Sequence, residues 1–313
     1  MKALRRSGKE YILGWEIVGG EKCVTLQRKN INMLNPWIEI ANKLGKAERN
    51  CFYLKDDDYV YKEDKAIIDG FNKELNKDDS DKIILNTPPE PWRGNPLKAN
   101  LIILSLNPGY DPNINKSLAK LIQHNEIIRK KLAEFRKNTM LLKANSFMPE
   151  DGNDNNESVS CKEAEDMLSG WYWTKKFKTL REDFCLESGL DELEFYRRVA
   201  VIEFFAYSST TCEKGFPLYG KTSRYLKSQE YTKQLIQQIV ETRKDEVRFL
   251  IVRAKKQWTY FLKEVYDDKI FLCKGNKGRC QSITRENLAE KDKNGTIQKD
   301  IYKEILDAII REL

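Results

Sequence analysis

The run Leu101-Ile-Ile-Leu-Ser-Leu106, stopped by Asn107-Pro108-Gly109, constrains this chain more than any other stretch. It is short, nearly continuous in Leu and Ile, and reads as a strand buried on both faces. Pro108 cannot donate to a sheet ladder, and Gly109 permits a backbone shape or close approach that a side chain would block. In open α/β sheets ligands bind beyond the carboxyl ends of the strands. The sequence therefore puts the amide of Asn107 where chemistry is expected.

The pattern recurs downstream. Val199 to Ala206, Val247 to Val252 and Lys269 to Cys273 read as further strands. Helical spacing marks Ser117 to Lys137, Cys161 to Phe184, Ser228 to Thr242 and Ile297 to Leu313. Strands alternating with helices predict an α/β fold with a central, mainly four-stranded parallel sheet in a three-layer αβα arrangement. Thr87 to Pro96 holds Pro88, Pro89, Pro91 and Pro96, so it reads as an extended loop feeding the first strand. Within it Trp92 is either a lid on the core or a pocket wall. Residues 1–80 read as an N-terminal α+β elaboration. Tyr11 to Val18 and Cys23 to Gln27 form a hairpin about Gly19-Gly20, and helices follow from Pro36 and from Lys65. Pro149 to Ser160 is acidic, Asn-rich and loop-like, and Lys274 to Asn294 reads as a long loop.

Composition removes several function classes. The 313 residues hold seven scattered cysteines without a Cys-x-x-Cys pair, and a single histidine, His124. No metal or redox cofactor is expected, and reduced thiols in the cytoplasm are. His124, set mid-helix, reads as structural. No apolar segment approaches a membrane span, and no apolar stretch follows the basic start, so neither a membrane partner nor a signal peptide is expected. No strand precedes Gly-x-Gly-x-x-Gly, a nucleoside-triphosphate loop or Gly-x-Ser-x-Gly. The net charge of +7 permits a nucleic-acid partner.

The loops after the first, second and fourth strands should converge on a cleft of amides, hydroxyls and cations: Asn107, Tyr110, Tyr207, Ser208, Arg253, Arg279, Gln281, Ser282 and Asn287. Amides are poor bases. They suit a reaction in which the leaving group departs first and water needs only orientation, and cleavage of an N-glycosidic bond is such a reaction.

Asn107-Pro108-Gly109 after a buried strand resembles the first catalytic motif of the uracil-DNA glycosylase superfamily, in its mismatch-specific and single-strand-selective branches. Pro89-Glu-Pro-Trp-Arg-Gly-Asn-Pro96 is similar to the preceding loop of uncharacterised bacterial members. Glu203-Phe-Phe-Ala-Tyr-Ser208, Ser228-Gln229, and Val252-Arg253 with Trp258 resemble later landmarks. Gln281-Ser-Ile-Thr-Arg-Glu-Asn287 stands at the second catalytic motif. The resemblance covers Thr87 onward and implies a glycosylase-like domain over residues 81–313. It departs where the second motif often carries His, and at Ser208, where bacterial relatives have His.

By this resemblance Asn107 orients the attacking water, while Pro108, Gly109, Tyr110, Tyr207 and Ser208 line the base pocket. Gln281, Ser282 and Asn287 hold the extruded nucleotide or its strand, since a stacked base must be flipped out to be reached. Lys221, Ser228, Gln229, Arg253, Lys255, Lys256 and Arg279 are candidate nucleic-acid contacts. Arg129, Lys130 and Lys131, on a basic helix, form either a phosphate-tracking face or an ordinary solvated one. The implied activity is hydrolysis of a deaminated or modified base from DNA, expected as a flipped nucleotide in a duplex, by a monomer serving DNA repair or anti-phage defence. The rival readings are a nucleic-acid binder that kept the fold and lost the chemistry, and an enzyme acting on small nucleotides.

Overall fold

The structure, a computed structural model, describes residues 3–6, 9–18, 21–28, 31–46, 59–76, 79–113, 125–149, 171–211, 225–263, 270–273, 282–291 and 297–311. The first strands, β1 (Ala3–Arg6), β2 (Lys9–Val18), β3 (Glu21–Arg28) and β4 (Ile31–Met33), pair antiparallel in sequential order. The expected hairpin lies within this sheet, with Val18 opposite Glu21. Helices α1 (Ile38–Lys46) and α2 (Lys62–Glu74) follow.

The second sheet joins β5 (Trp92–Arg93), β6 (Leu101–Ser105), β7 (Val199–Glu203), β8 (Arg248–Ile251) and β9 (Ile270–Leu272) in the order β5-β7-β6-β8-β9. All but the antiparallel edge strand β5 run parallel. Alternation along the strands feeds two apolar clusters. One gathers Ile102, Leu104, Ile202 and Ile251 with Trp37, Ile68, Leu235 and Trp258. The other gathers Leu101, Ile103, Val201 and Leu250 with Phe177, Phe184, Ile305 and Ile309. Strand β6 is thus buried on both faces, as its composition predicts, and truncating Leu104 to Ala should cost about 2–5 kcal/mol. Residues of α1 and α2 share the first cluster with the sheet.

The helices that follow include α3 (Glu126–Met140), α4 (Trp171–Ser188), α5 (Glu192–Arg198), α6 (Lys227–Arg243), α7 (Lys255–Phe261), α8 (Arg285–Leu288) and α9 (Ile301–Ile310). Helix α6 shows why they form. Tyr231, Leu235, Ile236 and Ile239 make one buried stripe, and the Gln229 side chain accepts from the Leu226 N–H at 3.0 Å, satisfying a donor ahead of the first turn.

Several expectations are corrected. The helix expected over Ser117 to Lys137 is interrupted at Asn125, which is extended and whose side chain accepts from the Ile128 N–H at 3.1 Å, an N-cap from which α3 runs. His124 and the residues before it back to Ile114 lie outside the described residues, as do Gly19-Gly20, residues 150–170, Lys221, Arg279 and Gln281. The loop expected over Lys274 to Asn294 contains α8 and strand β10 (Ala289–Lys291), which pairs with β11 (Ile297–Asp300). The last helix therefore starts at Ile301, capped by Asp300. Strand β7 stops at Glu203 rather than Ala206, since consecutive Phe204 and Phe205 pack into the same cluster and break the alternation. Cys273 is disulfide-bonded, against the expectation of reduced thiols.

The proline-rich segment resolves its own ambiguity. Trp92 is a core residue whose Nε1 donates to Thr139 O at 2.6 Å beneath α3. Gly94 has φ +73°, and a Cβ there would meet Val199 O at 2.6 Å, so the turn between β5 and β6 requires glycine. Glu90 joins Arg93 (2.9 Å) and Arg136 (2.7 Å) in a partly buried triad. Burial alone would raise the Glu90 pKa, but Arg136 and Arg93 hold it down at about 2. Arg136, though it belongs to the basic helix, is buried at that contact. No helix among the described residues is long and apolar enough to cross a membrane.

Candidate functional site

Adjacent strands β6 and β8 lead to different neighbours, β6 to β7 on one side and β8 to β9 on the other. Their carboxyl ends therefore flank a topological switch point, the usual ligand crevice of an open sheet. Asn107 follows β6 on one side, and Arg253 follows β8 on the other.

Beyond the strand ends, backbone bonds continue to tie the Asn107 loop to the loop after β7. Phe205 N–H donates to Leu106 O at 2.8 Å and Tyr110 N–H to Ser209 O at 3.2 Å. Across this seam the buried Asn107 side chain donates through Nδ2 to Ser209 Oγ at 3.1 Å and to Pro108 O at 3.0 Å. Ser209 Oγ in turn donates to Thr211 O, so it can only accept from Asn107. Both contacts demand the NH₂ group on that side, which fixes the amide orientation. Among the described residues Asn107 Oδ1 accepts no hydrogen bond. Gly109 is exposed, its φ is not positive, and a Cβ there would meet nothing within 4 Å. The strained turn or close backbone approach expected at Gly109 is not observed; the glycine leaves open space beside Asn107. Tyr110 is half-buried, and burial raises its pKa.

Other expected pocket residues point elsewhere. Tyr207 is buried away from solvent against Trp37, its hydroxyl donating to Asp64 Oδ2 at 2.9 Å and accepting from Tyr61 N–H at 3.2 Å. The bend at Phe204 and Phe205 turns it toward α2, so it is a core residue. Ser208 is buried, and its carbonyl accepts from Ile84 N–H at 2.8 Å. Ser228 and Gln229, expected as nucleic-acid contacts, are buried in the fold. Ser228 N–H donates to Asp64 Oδ1 at 3.3 Å, and Gln229 Nε2 donates to Phe204 O at 2.9 Å, both buried. Asn287 Nδ2 donates to Ser282 O at 2.8 Å, closing its own loop, and Ile283 N–H donates to Lys176 O at 3.1 Å, docking that loop on α4.

The cations divide similarly. Lys130 pairs with Glu126 at 2.7 Å, and Arg129 and Lys131 are also engaged, which favours an ordinary helix face. Lys255 and Lys256 are exposed at the start of α7 and form no ion pair among the described residues. Arg253 is half-buried and likewise forms no hydrogen bond or ion pair among them. Ala254 next to it has φ 55° and ψ 40°, a left-handed conformation costing about 1–2 kcal/mol for a side-chain-bearing residue, which turns the chain sharply from β8 into α7.

Three further groups sit at these strand ends. Ser105, opposite Glu203 in the β6–β7 register, hydrogen-bonds the Glu203 carboxyl, whose Oε2 is buried without a partner among the described residues. Burial raises the Glu203 pKa to about 7. Lys176 of α4 is buried, and burial, then Arg253, lowers its pKa to about 8 against the pull of Glu203. Sequence signals existed for both. Glu203 is a lone carboxylate ending an apolar strand, and Lys176 interrupts the apolar stripe of Trp173, Phe177 and Leu180. Ser209 carried no such signal, since its role depends on the fold of the loop after β7.

Among the described residues no cluster of His, Cys, Asp and Glu could hold a metal ion. No protein-family model, curated protein or solved structure matches the chain.

Proposed function

We propose that this protein is a DNA glycosylase that hydrolyses the N-glycosidic bond of a deaminated or modified base flipped out of the stack, in DNA repair or anti-phage defence. The observation that carries this reading is the Asn107 amide, pinned by Ser209 and Pro108 so that Oδ1 faces no partner among the described residues at the switch point. An oriented carbonyl oxygen can hold a water by accepting a hydrogen bond from one of its O–H groups while a lone pair of the water faces C1′. Departure of the base leaves an oxocarbenium-like sugar, which needs a placed water rather than a strong base. Arg253, Lys255 and Lys256 follow β8 at the same crevice, carry no ion pair among the described residues, and suit the phosphates flanking the extruded nucleotide.

On this reading residues 81–313 form a three-layer αβα catalytic domain of the uracil-DNA glycosylase superfamily, working as a cytoplasmic monomer. Residues 1–80 elaborate it. The test is incubation with oligonucleotides carrying a panel of deaminated and modified bases, followed by detection of released base and abasic sites. Release from at least one substrate, lost in Asn107→Ala, supports the reading.

One observation favours a second reading, a nucleic-acid binder without chemistry: the only histidine in the sequence is His124, so neither family His position is filled. Salt-sensitive DNA binding with no release from any base would select it.

A further inference from the structure

Glu203 is buried at the carboxyl end of β7, one strand from Asn107, and is only 7% exposed. Ser105 bonds its carboxyl, yet Oε2 has no partner among the described residues. A bare carboxylate oxygen in a protein interior is costly unless it is protonated or meets a donor. The charged groups whose fields reach it are Arg253 beyond β8, Arg93 on β5, Glu90 ahead of β5, and Lys176 from α4. None of these bonds Oε2. Arg253, which holds no partner among the described residues, is the neighbour least tied to its place.

We propose that Glu203 is the general acid of this site, donating its proton through Oε2 to the departing base, and that the substrates are bases that leave poorly as anions, purines above all. The inference rests on the glycosylase reading. The C1′–N bond breaks, its electron pair stays on the base, and the base takes the Glu203 proton. Water oriented by Asn107 adds to C1′, and its surplus proton returns to the Glu203 carboxylate. One water is consumed, and no other reactant is needed. Burial keeps the acid protonated up to about pH 7, the range in which proton donation is effective. Asn107 cannot donate such a proton to a poor leaving group, and the sequence offers no His beside it.

Single-turnover release by wild type and Glu203→Gln tests this on two duplexes, one carrying hypoxanthine and one carrying 5-fluorouracil, whose base departs readily as an anion. Gln retains the length of the side chain and the bond to Ser105. Wild type should release hypoxanthine with a rate that falls as pH rises through about 7. Glu203→Gln should lose about 10²–10⁴-fold on hypoxanthine, flatten that pH limb and keep most of its 5-fluorouracil rate. Equal losses on both substrates, or a wild-type pH profile in the variant, overturn the proposal. Release of 5-fluorouracil but never of hypoxanthine by wild type overturns it too. If wild type releases neither, nor any base of the panel, the glycosylase reading itself has failed. Carboxyl ¹³C NMR of the wild-type protein gives a check that does not depend on variant folding. A Glu203 resonance titrating in the ordinary carboxylate range would also overturn the proposal.

Discussion

Asn107 donates to the Ser209 hydroxyl across 102 residues of sequence, and this bond, with the one to Pro108 O, fixes the orientation of the amide. Asn107→Ala should lower base release by about 10²–10³ with DNA affinity and melting temperature nearly unchanged. Ser209→Ala removes the pin and leaves the amide in place, so a loss nearer tenfold is expected, the equivalent of one neutral hydrogen bond. Single-turnover rates beside thermal melts check both. A stable and fully active Asn107→Ala protein would remove Asn107 from the mechanism.

The two glycines of the motif regions should behave oppositely. Gly94→Ala puts a Cβ 2.6 Å from Val199 O at a positive φ, and should destabilise by about 1–3 kcal/mol or more. Gly109→Ala meets open space and should melt like wild type. A fall in activity for Gly109→Ala at unchanged stability would mark the space beside Asn107 as substrate volume.

Glu90 makes stability depend on acid. Its folded pKa of about 2 lies below the ordinary 4.5, so its contribution is present above about pH 4.5 and disappears as pH falls toward 2. The shift corresponds to about 3 kcal/mol. Denaturant titration of Glu90→Gln should show a deficit of that order at pH 7, narrowing toward zero near pH 2. A deficit independent of pH would mean that the triad with Arg93 and Arg136 contributes no charge-specific stability.

Asp64 should trend the other way. Burial raises its pKa despite the bonds from Tyr207 and Ser228, so its contribution is complete below the ordinary Asp range and declines as pH rises through the folded value. Asp64→Ala strips an acceptor from the Tyr207 hydroxyl and the Ser228 N–H, at a cost of about 2 kcal/mol under acidic conditions. Comparing melts at pH 3 and pH 7 checks the sign, and a wild-type advantage that grew with pH would contradict it.

DNA affinity should depend on α7 more than on α3. Lys255→Ala with Lys256→Ala should weaken binding to all sequences alike and reduce the salt slope by about 2 if each lysine meets one phosphate. Lys130→Ala, already paired with Glu126, should leave the slope unchanged. Fluorescence anisotropy across a salt series distinguishes them. The opposite ranking would return the interface to α3.

What the sequence determined by itself was local. Leu101 to Ser105 had to be a doubly buried strand because an unbroken apolar run of that length has no solvent face to offer, and Asn107-Pro108 had to end it. The mostly parallel sheet followed from the alternation of such runs with helices. The destination of a side chain past a strand end was not legible. Tyr207 and Ser208 follow β7, but the bend at Phe204 and Phe205 sends Tyr207 to Asp64, 143 residues away. Ser228 and Gln229 read as candidate nucleic-acid contacts. Packing of the α6 N-terminus made them interior caps, with Asp64 supplied from 164 residues upstream. Only tertiary structure could set Ser209 against Asn107 and leave Glu203 Oε2 without a partner among the described residues, because a hydrogen-bond partner so distant in the chain leaves no periodicity or spacing to read.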